Sequence, residues 1–377
     1  MPTANVIYPE FDRPLSEDAE RSWTLPARYY FDPAIYGAER EKIFFKSWQY
    51  VGHRSQVANP GDFITGTVVD QPIFVLRDRT GELRAYYNVC LHRAHELLKG
   101  EGSLRSAAIT CPYHAWTYDF GGTLRAAPNT KQVKDFIPED FKLTPIRVEL
   151  FAGFVFVNLD PDAKPMTEQV GWLAEDLRQH VPDFDDLKLY EGRSIGNAVT
   201  KANWKVVVDN YVECYHCSKA HPAFADMIEM TEYKNDIIGP VSRQLGINTR
   251  PKNSAYEFSP DAPVTHAAFW FMWPNITFNM MPGDTQLSVA VVQPKGPEES
   301  VFWSHNYRLK AETDPAKLAY GRTVLGPEDN DLCESVQRGL HARVYKQGRI
   351  IVDPARSGIG EHGIHHFHRL VKTALDR

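Results

Sequence analysis

Between Val51 and Asn158 apolar and polar residues alternate with a period of two in short runs. The runs are Asp62–Val68, Pro72–Arg77 and Leu83–Val89, the last two separated by a turn at Asp78–Gly81, with Phe154–Val157 as a closing strand. That period predicts a small antiparallel β unit. Upstream, Pro33–Trp48 has helical spacing that puts Ile35, Ile43 and Phe44 on one stripe, and residues 1–46 read as an arm of a larger domain. Beyond about residue 160 the period lengthens: Met166–Val181 and Gly326–Tyr345 have helical spacing, and Val199–Ala220 has it more strongly. Ala267–Met281 is a dense apolar and aromatic run that suits buried sheet. Strands with helices laid over them make an α+β fold. The expected division is an arm at 1–46 packing on the large domain, a β domain at 47–160, and an antiparallel-sheet-plus-helices, helix-grip-like domain at 161–377.

Chemistry is concentrated where the small β unit's strands end. Val89 leads into Cys90-Leu91-His92, and Thr110 into Cys111-Pro112-Tyr113-His114. Two thiols and two imidazoles can hold a tetrahedral zinc, or a [2Fe–2S] pair with both thiolates on one iron and both imidazoles on the other. Zinc modules usually pair like ligands on each arm, whereas each arm here carries one Cys and one His, as a Rieske centre requires. Cys90, His92, Cys111 and His114 are therefore the expected cluster ligands, with the imidazoles toward the surface. His95, three residues past His92, reads as a neighbouring or surface residue rather than a ligand.

A second cluster lies between Asn203 and Pro222. Asn210, Glu213 and His216 are spaced three apart and would line one face of a helix. His221 lies five past His216 and reaches the same metal only if the chain unwinds between them, which Pro222 favours. Two histidines and a carboxylate form the facial triad of non-haem Fe(II) oxygenases. In the helix opened by Gly326-Pro327, the expected buried stripe is Leu332, Cys333, Val336, Leu340 and Val344. Asp329 points inward with that stripe and is the expected carboxylate, with Asp331 as runner-up.

Cys214 and Cys217 are formally C-x-x-C but are expected mid-helix, away from any βαβ pattern, which argues against a redox dithiol. Gly358 to Gly363 formally read G-x-G-x-x-G, yet the short remainder cannot build a dinucleotide-binding unit. Without a nicotinamide or flavin site of its own, the chain needs a partner that brings electrons. The tail histidines His362, His365, His366 and His368 read as interface or supporting residues rather than a third metal site.

Bulk properties narrow the class further. A net charge of −6 over 377 residues offers no basic stripe for nucleic acid. No apolar run approaches the roughly 20 residues that span a bilayer. The start, Met1 to Asn5, lacks the regions of a signal peptide, so a cytoplasmic address is expected. Five cysteines do not make a disulfide framework in a chain this long.

With both sites in hand, the chain resembles the oxygenase component of Rieske non-haem iron monooxygenases and ring-hydroxylating dioxygenases. The resemblance rests on residues 90–114, Gly153 to Asn158, Asn203-Trp204-Lys205 through His221, Glu328-Asp329, and Gln337 to Leu340. It implies a [2Fe–2S] cluster, a mononuclear Fe(II), a separate NAD(P)H-dependent flavin/iron–sulfur reductase, and a homotrimer in which a carboxylate carries electrons between subunits. By motif position that carboxylate is Glu213, where the aromatic dioxygenases typically have Asp. Glu also occurs in the carnitine monooxygenase branch, which the chain is similar to at Cys90 to Leu98 and from Gln347 to His368. Ala94 replaces the Gly common after the first arm. Relatives in that branch oxidise small quaternary-ammonium compounds, with O2, by N-dealkylation or C–N cleavage. Tyr211, Tyr215, Phe269, Trp270, Phe271 and Trp273 could offer aromatic faces to a trimethylammonium group. A ring hydroxylase acting on a small aromatic acid would share every metal ligand and is the alternative.

Overall fold

In a computed structural model, which describes residues 13–106, 108–310, 314–355 and 357–377 (191–198 and 357 by backbone alone), the period-two stretch builds two antiparallel sheets. The first part of the expected arm, residues 1–12, lies outside the described residues. Two units separate, Phe44–Glu168 and the chain up to Ile43 together with Gln169–Arg377.

The smaller unit has strands β1 (Gln49–His53), β2 (Asp62–Val68), β3 (Gln71–Arg77), β4 (Leu83–Tyr87), β5 (Glu101–Ser103), β6 (Ala108–Thr110), β7 (Thr117–Asp119), β8 (Leu124–Ala126), β9 (Pro145–Phe151) and β10 (Phe154–Asn158). Their order is β1-β10-β9-β4-β3-β2-β5 in one sheet and β6-β7-β8 in the other. Alternation decides what each face does. Ile73 and Val75 of β3 pack with Val51, Ile64 and Val155. Phe74 and Leu76 point the other way and, with Tyr86, support Cys90, Cys111, Trp116 and Tyr118.

The larger unit is built on β11 (Lys188–Thr200), β12 (Lys234–Ile238), β13 (Val241–Gly246), β14 (Ala267–Met272), β15 (Ile276–Met280), β16 (Gln286–Gly296) and β17 (Glu299–Arg308), ordered β11-β17-β16-β15-β14-β13-β12. The helices are α1 (Pro33–Lys42), α2 (Met166–His180), α3 (Trp204–Tyr211), α4 (Cys217–Ala220), α5 (Pro222–Met227), α6 (Pro315–Tyr320), α7 (Gly326–Leu340) and α8 (His362–Asp376). Among the described residues no helix is long and apolar enough to cross a membrane.

Two helices differ from expectation, for identifiable reasons. Val199–Ala220 is not one helix: the strand runs to Thr200, and Asn203 caps α3 by accepting from the Lys205 N–H at 2.9 Å. After Tyr211 the helix stops because side chains from the sheet take its carbonyls. Gln244 Nε2 donates to Tyr211 O at 2.7 Å and Asn235 Nδ2 to Val212 O at 2.8 Å. Cys214 and Cys217 therefore sit at this break rather than mid-helix, and their sulfurs are bonded to each other. In α7 the buried seam is Cys333, Gln337 and Leu340; Leu332, Val336 and Val344 are 37%, 51% and 94% exposed, and Val344 lies past the helix end. Gln337 defines the seam, since its Oε1 accepts from the Asn203 N–H at 2.9 Å and its Nε2 donates to Tyr30 O at 3.1 Å. A polar residue with two backbone partners is invisible to a stripe drawn from apolar residues.

The Asn203-Trp204-Lys205 stretch is spent on one buried carboxylate. Glu39 of α1 accepts from Trp204 Nε1 at 2.8 Å and from Lys205 Nζ at 2.5 Å, and Lys205 also donates to Asn203 Oδ1 at 2.8 Å. Removing one partner of a buried ion pair strands the other charge. Glu39→Gln is expected to cost about 3–5 kcal/mol of stability by urea unfolding, whereas a loss below about 1 kcal/mol would mean that the pair does not anchor α3.

Candidate metal centres

The two cysteine loops of the small unit share one geometry. Cys90 N–H donates to His95 O at 2.8 Å and Cys111 N–H to Trp116 O at 2.8 Å, while the N–H groups of Ala94 and Ala115 return to the carbonyls of Cys90 and Cys111 at 2.9 and 3.0 Å. Closing each loop this way requires a left-handed residue, and Ala94 and Ala115 have φ of 55° and 56°. A Gly at position 94 would meet that need without a Cβ, at a saving of about 1 kcal/mol. Asn88 staples the first loop: its Oδ1 accepts from Leu97 and Leu98 N–H at 3.0 Å, and its Nδ2 donates to Leu98 O at 2.8 Å. Its position just before Cys90 was the signal for this role, and sequence reasoning passed over it.

The loops present two buried free thiols, Cys90 and Cys111, and two imidazoles nearer solvent, His92 and His114, with ring centroids 4.6 Å apart. Burial first, then Cys111, raises the Cys90 thiol, against the Tyr118 hydroxyl 3.5 Å away, so an uncompensated thiolate is disfavoured there and a cation would be welcome. Thiols inside and imidazoles outside fit a cluster whose outer iron exchanges electrons at the surface. His95 stays apart, its Nδ1 2.6 Å from the Glu96 carbonyl.

In the larger unit the break after α3 turns His216 and His221 toward the first turn of α7. His221 Nε2 lies 2.9 Å and His216 Nε2 3.7 Å from Asp329 Oδ1, and the three ligand atoms fall within 4.8 Å of one another. Asp331 is exposed on the far side of the helix. The outer nitrogens are also held: His216 Nδ1 is 2.5 Å from Glu213 Oε1, and His221 Nδ1 is 2.8 Å from Glu328 Oε2. Glu213 also accepts from the Tyr215 and His216 N–H groups, so one carboxylate shapes the turn and orients the ligand. A carboxylate on Nδ1 fixes the tautomer that offers Nε2 to a metal, and this donor set suits non-haem iron.

Without a cation the site holds protons instead. Burial alone would lower His216, but Asp329 and Glu213 raise it to about 9; His221 is raised against burial by Asp329 and Glu328, and the imidazoles lower Asp329 despite its burial.

The other expected site residues separate. The Asn210 side chain makes no hydrogen bond among the described residues, and its neighbour Asp209, not singled out in the sequence, carries the polar contacts. Asp209 accepts from Tyr30 Oη at 2.7 Å and lies 2.9 Å from His368 Nε2, while Leu25 N–H donates to His368 Nδ1 at 3.1 Å. His368 is thus a buried anchor, and His365 Nε2 meets Ser16 O at 2.8 Å. Trp270 and Phe271 are core residues rather than open aromatic faces, and Trp273 is half-buried against other rings. Trp270 Nε1 donates to Asp176 at 2.7 Å, Phe271 packs on Phe367, and Trp273 packs on Trp204 and Phe367. Tyr211 spends its hydroxyl on Asn279 Oδ1 at 2.8 Å, and Tyr215 is exposed. Phe269, packed against Phe224, alone of the six joins the cluster around Cys214, Cys217, Tyr256 and Tyr320.

Two family models match this chain: the Rieske [2Fe-2S] domain over residues 47–137 and the ring hydroxylating alpha subunit (catalytic domain) over 184–377. The chain belongs to the Rieske non-haem iron oxygenases, with a [2Fe–2S] domain before a catalytic domain that binds mononuclear iron. It is 39% identical over 371 residues to the carnitine monooxygenase oxygenase subunit of Escherichia coli K12, covering 97% of this chain and 98% of that one. It is 33% identical to the chloroplastic choline monooxygenase of Beta vulgaris, over 93% of this chain and 76% of that one. Among solved structures, the quaternary ammonium Rieske monooxygenase CntA in complex with L-carnitine superposes with a TM-score of 0.84 at 39% identity, covering 95% and 97% of the two chains. Naphthalene 1,2-dioxygenase from Rhodococcus shares the fold, with a TM-score of 0.76 at 20% identity over 94% and 95%.

A bound cation must displace the proton that His216 holds below about pH 9. Apparent Fe(II) affinity of the metal-free protein is therefore expected to rise with pH up to about 9 and to level off above. Calorimetry in buffers of different ionisation enthalpy would detect the released protons; uptake at pH 7 without proton release contradicts this arrangement.

Proposed function

We propose that this protein is the oxygenase component of a two-component Rieske monooxygenase that oxidises a small quaternary-ammonium compound of the carnitine or betaine type, with N-dealkylation or C–N cleavage. Cys90, His92, Cys111 and His114 are the proposed cluster ligands, and His216, His221 and Asp329 the proposed ligands of the mononuclear iron. When bound, the cluster supplies one-electron transfer and the iron supplies O2 activation. The observation that carries the proposal is the His216, His221 and Asp329 set, with Glu213 on the outer nitrogen of His216, in a chain that matches a carnitine monooxygenase subunit along nearly the whole of both.

The chain's own residues then have separable tasks. Glu328 keeps His221 in the tautomer that presents Nε2. Glu213 does the same for His216 and is the proposed electron bridge. Its second contact would be a cluster histidine of a neighbouring subunit, which makes a homotrimer part of the proposal and suits the surface position of His92 and His114. A separate NAD(P)H-dependent reductase with flavin and iron–sulfur centres is the proposed electron donor.

Glu213→Gln is expected to retain both metals and to slow single-turnover oxidation of the reduced cluster about 10- to 100-fold, the usual range for residues that orient metal ligands. An unchanged rate would remove Glu213 from the electron path. For the substrate, prereduced anaerobic protein is mixed with a panel of quaternary amines and aromatic acids and then given O2. Dealkylated or cleaved amine products are expected; hydroxylated aromatic acids with intact amines would overturn the assignment.

A further inference from the structure

One covalent cross-link adjoins the iron site. Cys214 and Cys217 are joined through their sulfurs with His216 between them, whereas Cys90, Cys111 and Cys333 are free. Lying at the helix break rather than inside a helix, the two sulfurs can meet. The bridge closes a ring of four residues, Cys214-Tyr215-His216-Cys217.

The backbone of the same two cysteines carries both histidine ligands. Cys217 N–H donates to Cys214 O at 3.2 Å, and Cys217 O accepts from the His221 N–H at 2.9 Å. Glu213, the residue before Cys214, accepts from the Tyr215 and His216 N–H groups. The cross-link therefore spans the junction between the turn that aims His216 and the helical turn, α4, that leads to His221. A loop this short restrains the unfolded chain less than a long one, so the bond acts locally more than on global stability. Both cysteines also pack with Phe224, Met227, Tyr233 and Tyr256, a cluster that holds the turn whether or not the sulfurs are joined. The sulfurs belong to buried residues, yet Tyr215 inside the ring is 55% exposed, so the turn lies near the surface and small reagents have the better access.

We propose that Cys214 and Cys217 form a reversible redox site that sets how firmly the mononuclear iron is held: the disulfide retains the metal, and the dithiol releases it faster. The bond removes alternative conformations of His216, and a preorganised ligand costs less to bind. The oxidant is hydrogen peroxide, which forms when O2 takes up two electrons and two protons without giving an oxygen to substrate. One thiol attacks the peroxide; an S–O bond forms, the O–O bond breaks, and water leaves with the thiol proton. The second sulfur displaces the sulfenic oxygen as water, so two thiols and one peroxide give one disulfide and two waters. A small thiol reverses the step by exchange and ends as a disulfide itself. Uncoupled turnover thereby tightens the site when loose Fe(II) would react most damagingly with peroxide.

In the test, protein with an intact cluster and no mononuclear iron is treated anaerobically with one equivalent of hydrogen peroxide or with dithiothreitol, desalted, and loaded with Fe(II). Alkylation after denaturation is expected to count three thiols after peroxide and five after dithiothreitol. Loss of the mononuclear iron to an Fe(II) chelator is expected to be about 10-fold slower in the oxidised form, within the range for groups that orient metal ligands, while the cluster's visible absorption is unchanged. Cys214→Ala/Cys217→Ala is expected to lose iron at the dithiothreitol rate after either treatment; the two wild-type forms decide the matter should this variant fail to fold. Equal release from the two wild-type forms, three thiols that persist in dithiothreitol, or five that persist in peroxide each overturn the redox site. The proposal rests on His216 and His221 as iron ligands: failure of both forms to take up Fe(II) overturns that assignment as well, whereas uptake with equal release overturns the redox site alone.

Discussion

An imidazole has two nitrogens and can turn only one of them to a metal. In the larger unit that choice is made by carboxylates, Glu213 on His216 and Glu328 on His221, each on the Nδ1 side. Everything nearby keeps those carboxylates in register. Glu39 fixes the start of α3 through Trp204 and Lys205, and Asp209 fixes its last turn through Tyr30 and His368. The chain leaves the helix where Gln244 and Asn235 take its carbonyls, and α8 comes so close that a Cβ on Gly363 would collide with the Val212 carbonyl. The break between Tyr211 and His216 is therefore a supported conformation, and the chain does not unwind between the two histidines as expected: one helical turn, α4, spans them with His216 and His221 as its caps, and both converge on one carboxylate.

Local chemistry was legible in the sequence. The cluster arms are short loops with ligands close together in the chain, so the mixed Cys and His spacing carried the assignment without knowledge of packing. Asp329 could be placed because the first turn of α7 was marked by Gly326-Pro327, even though the apolar stripe used to orient it was partly wrong. The buried face of α7 is set by Cys333, Gln337 and Leu340, and a glutamine bonded to two backbone groups has no hydropathy signature. Glu328 went unrecognised for a similar reason: an acidic residue in a first helical turn is expected for the dipole alone, and its contact with His221 spans 107 positions of sequence.

Long-range packing also governs what was misread. Residues of β14 alternate between sheet faces, and which aromatic reaches the iron-side cluster depends on the helix lying above each one; Phe269 faces Phe224, and Trp270 is turned to Asp176. Gly358 and Gly363 are where the tail approaches the carbonyls of Tyr233 and Val212, and any side chain would prevent it. Of the tail histidines, His368 and His365 serve as hydrogen-bonding anchors.

The proposed path through Glu213 runs from one subunit to its neighbour, and mixed oligomers test this most directly. Co-expressing a Cys90→Ser chain, expected to lack the cluster, with an Asp329→Ala chain, expected to lack the mononuclear iron, would yield doubly tagged oligomers in which no subunit holds both sites. Transfer between subunits predicts that these oligomers regain quaternary-amine oxidation although each variant alone is inactive. Inactive mixed oligomers, with the intact site of each chain shown to be loaded with its metal, would contradict it.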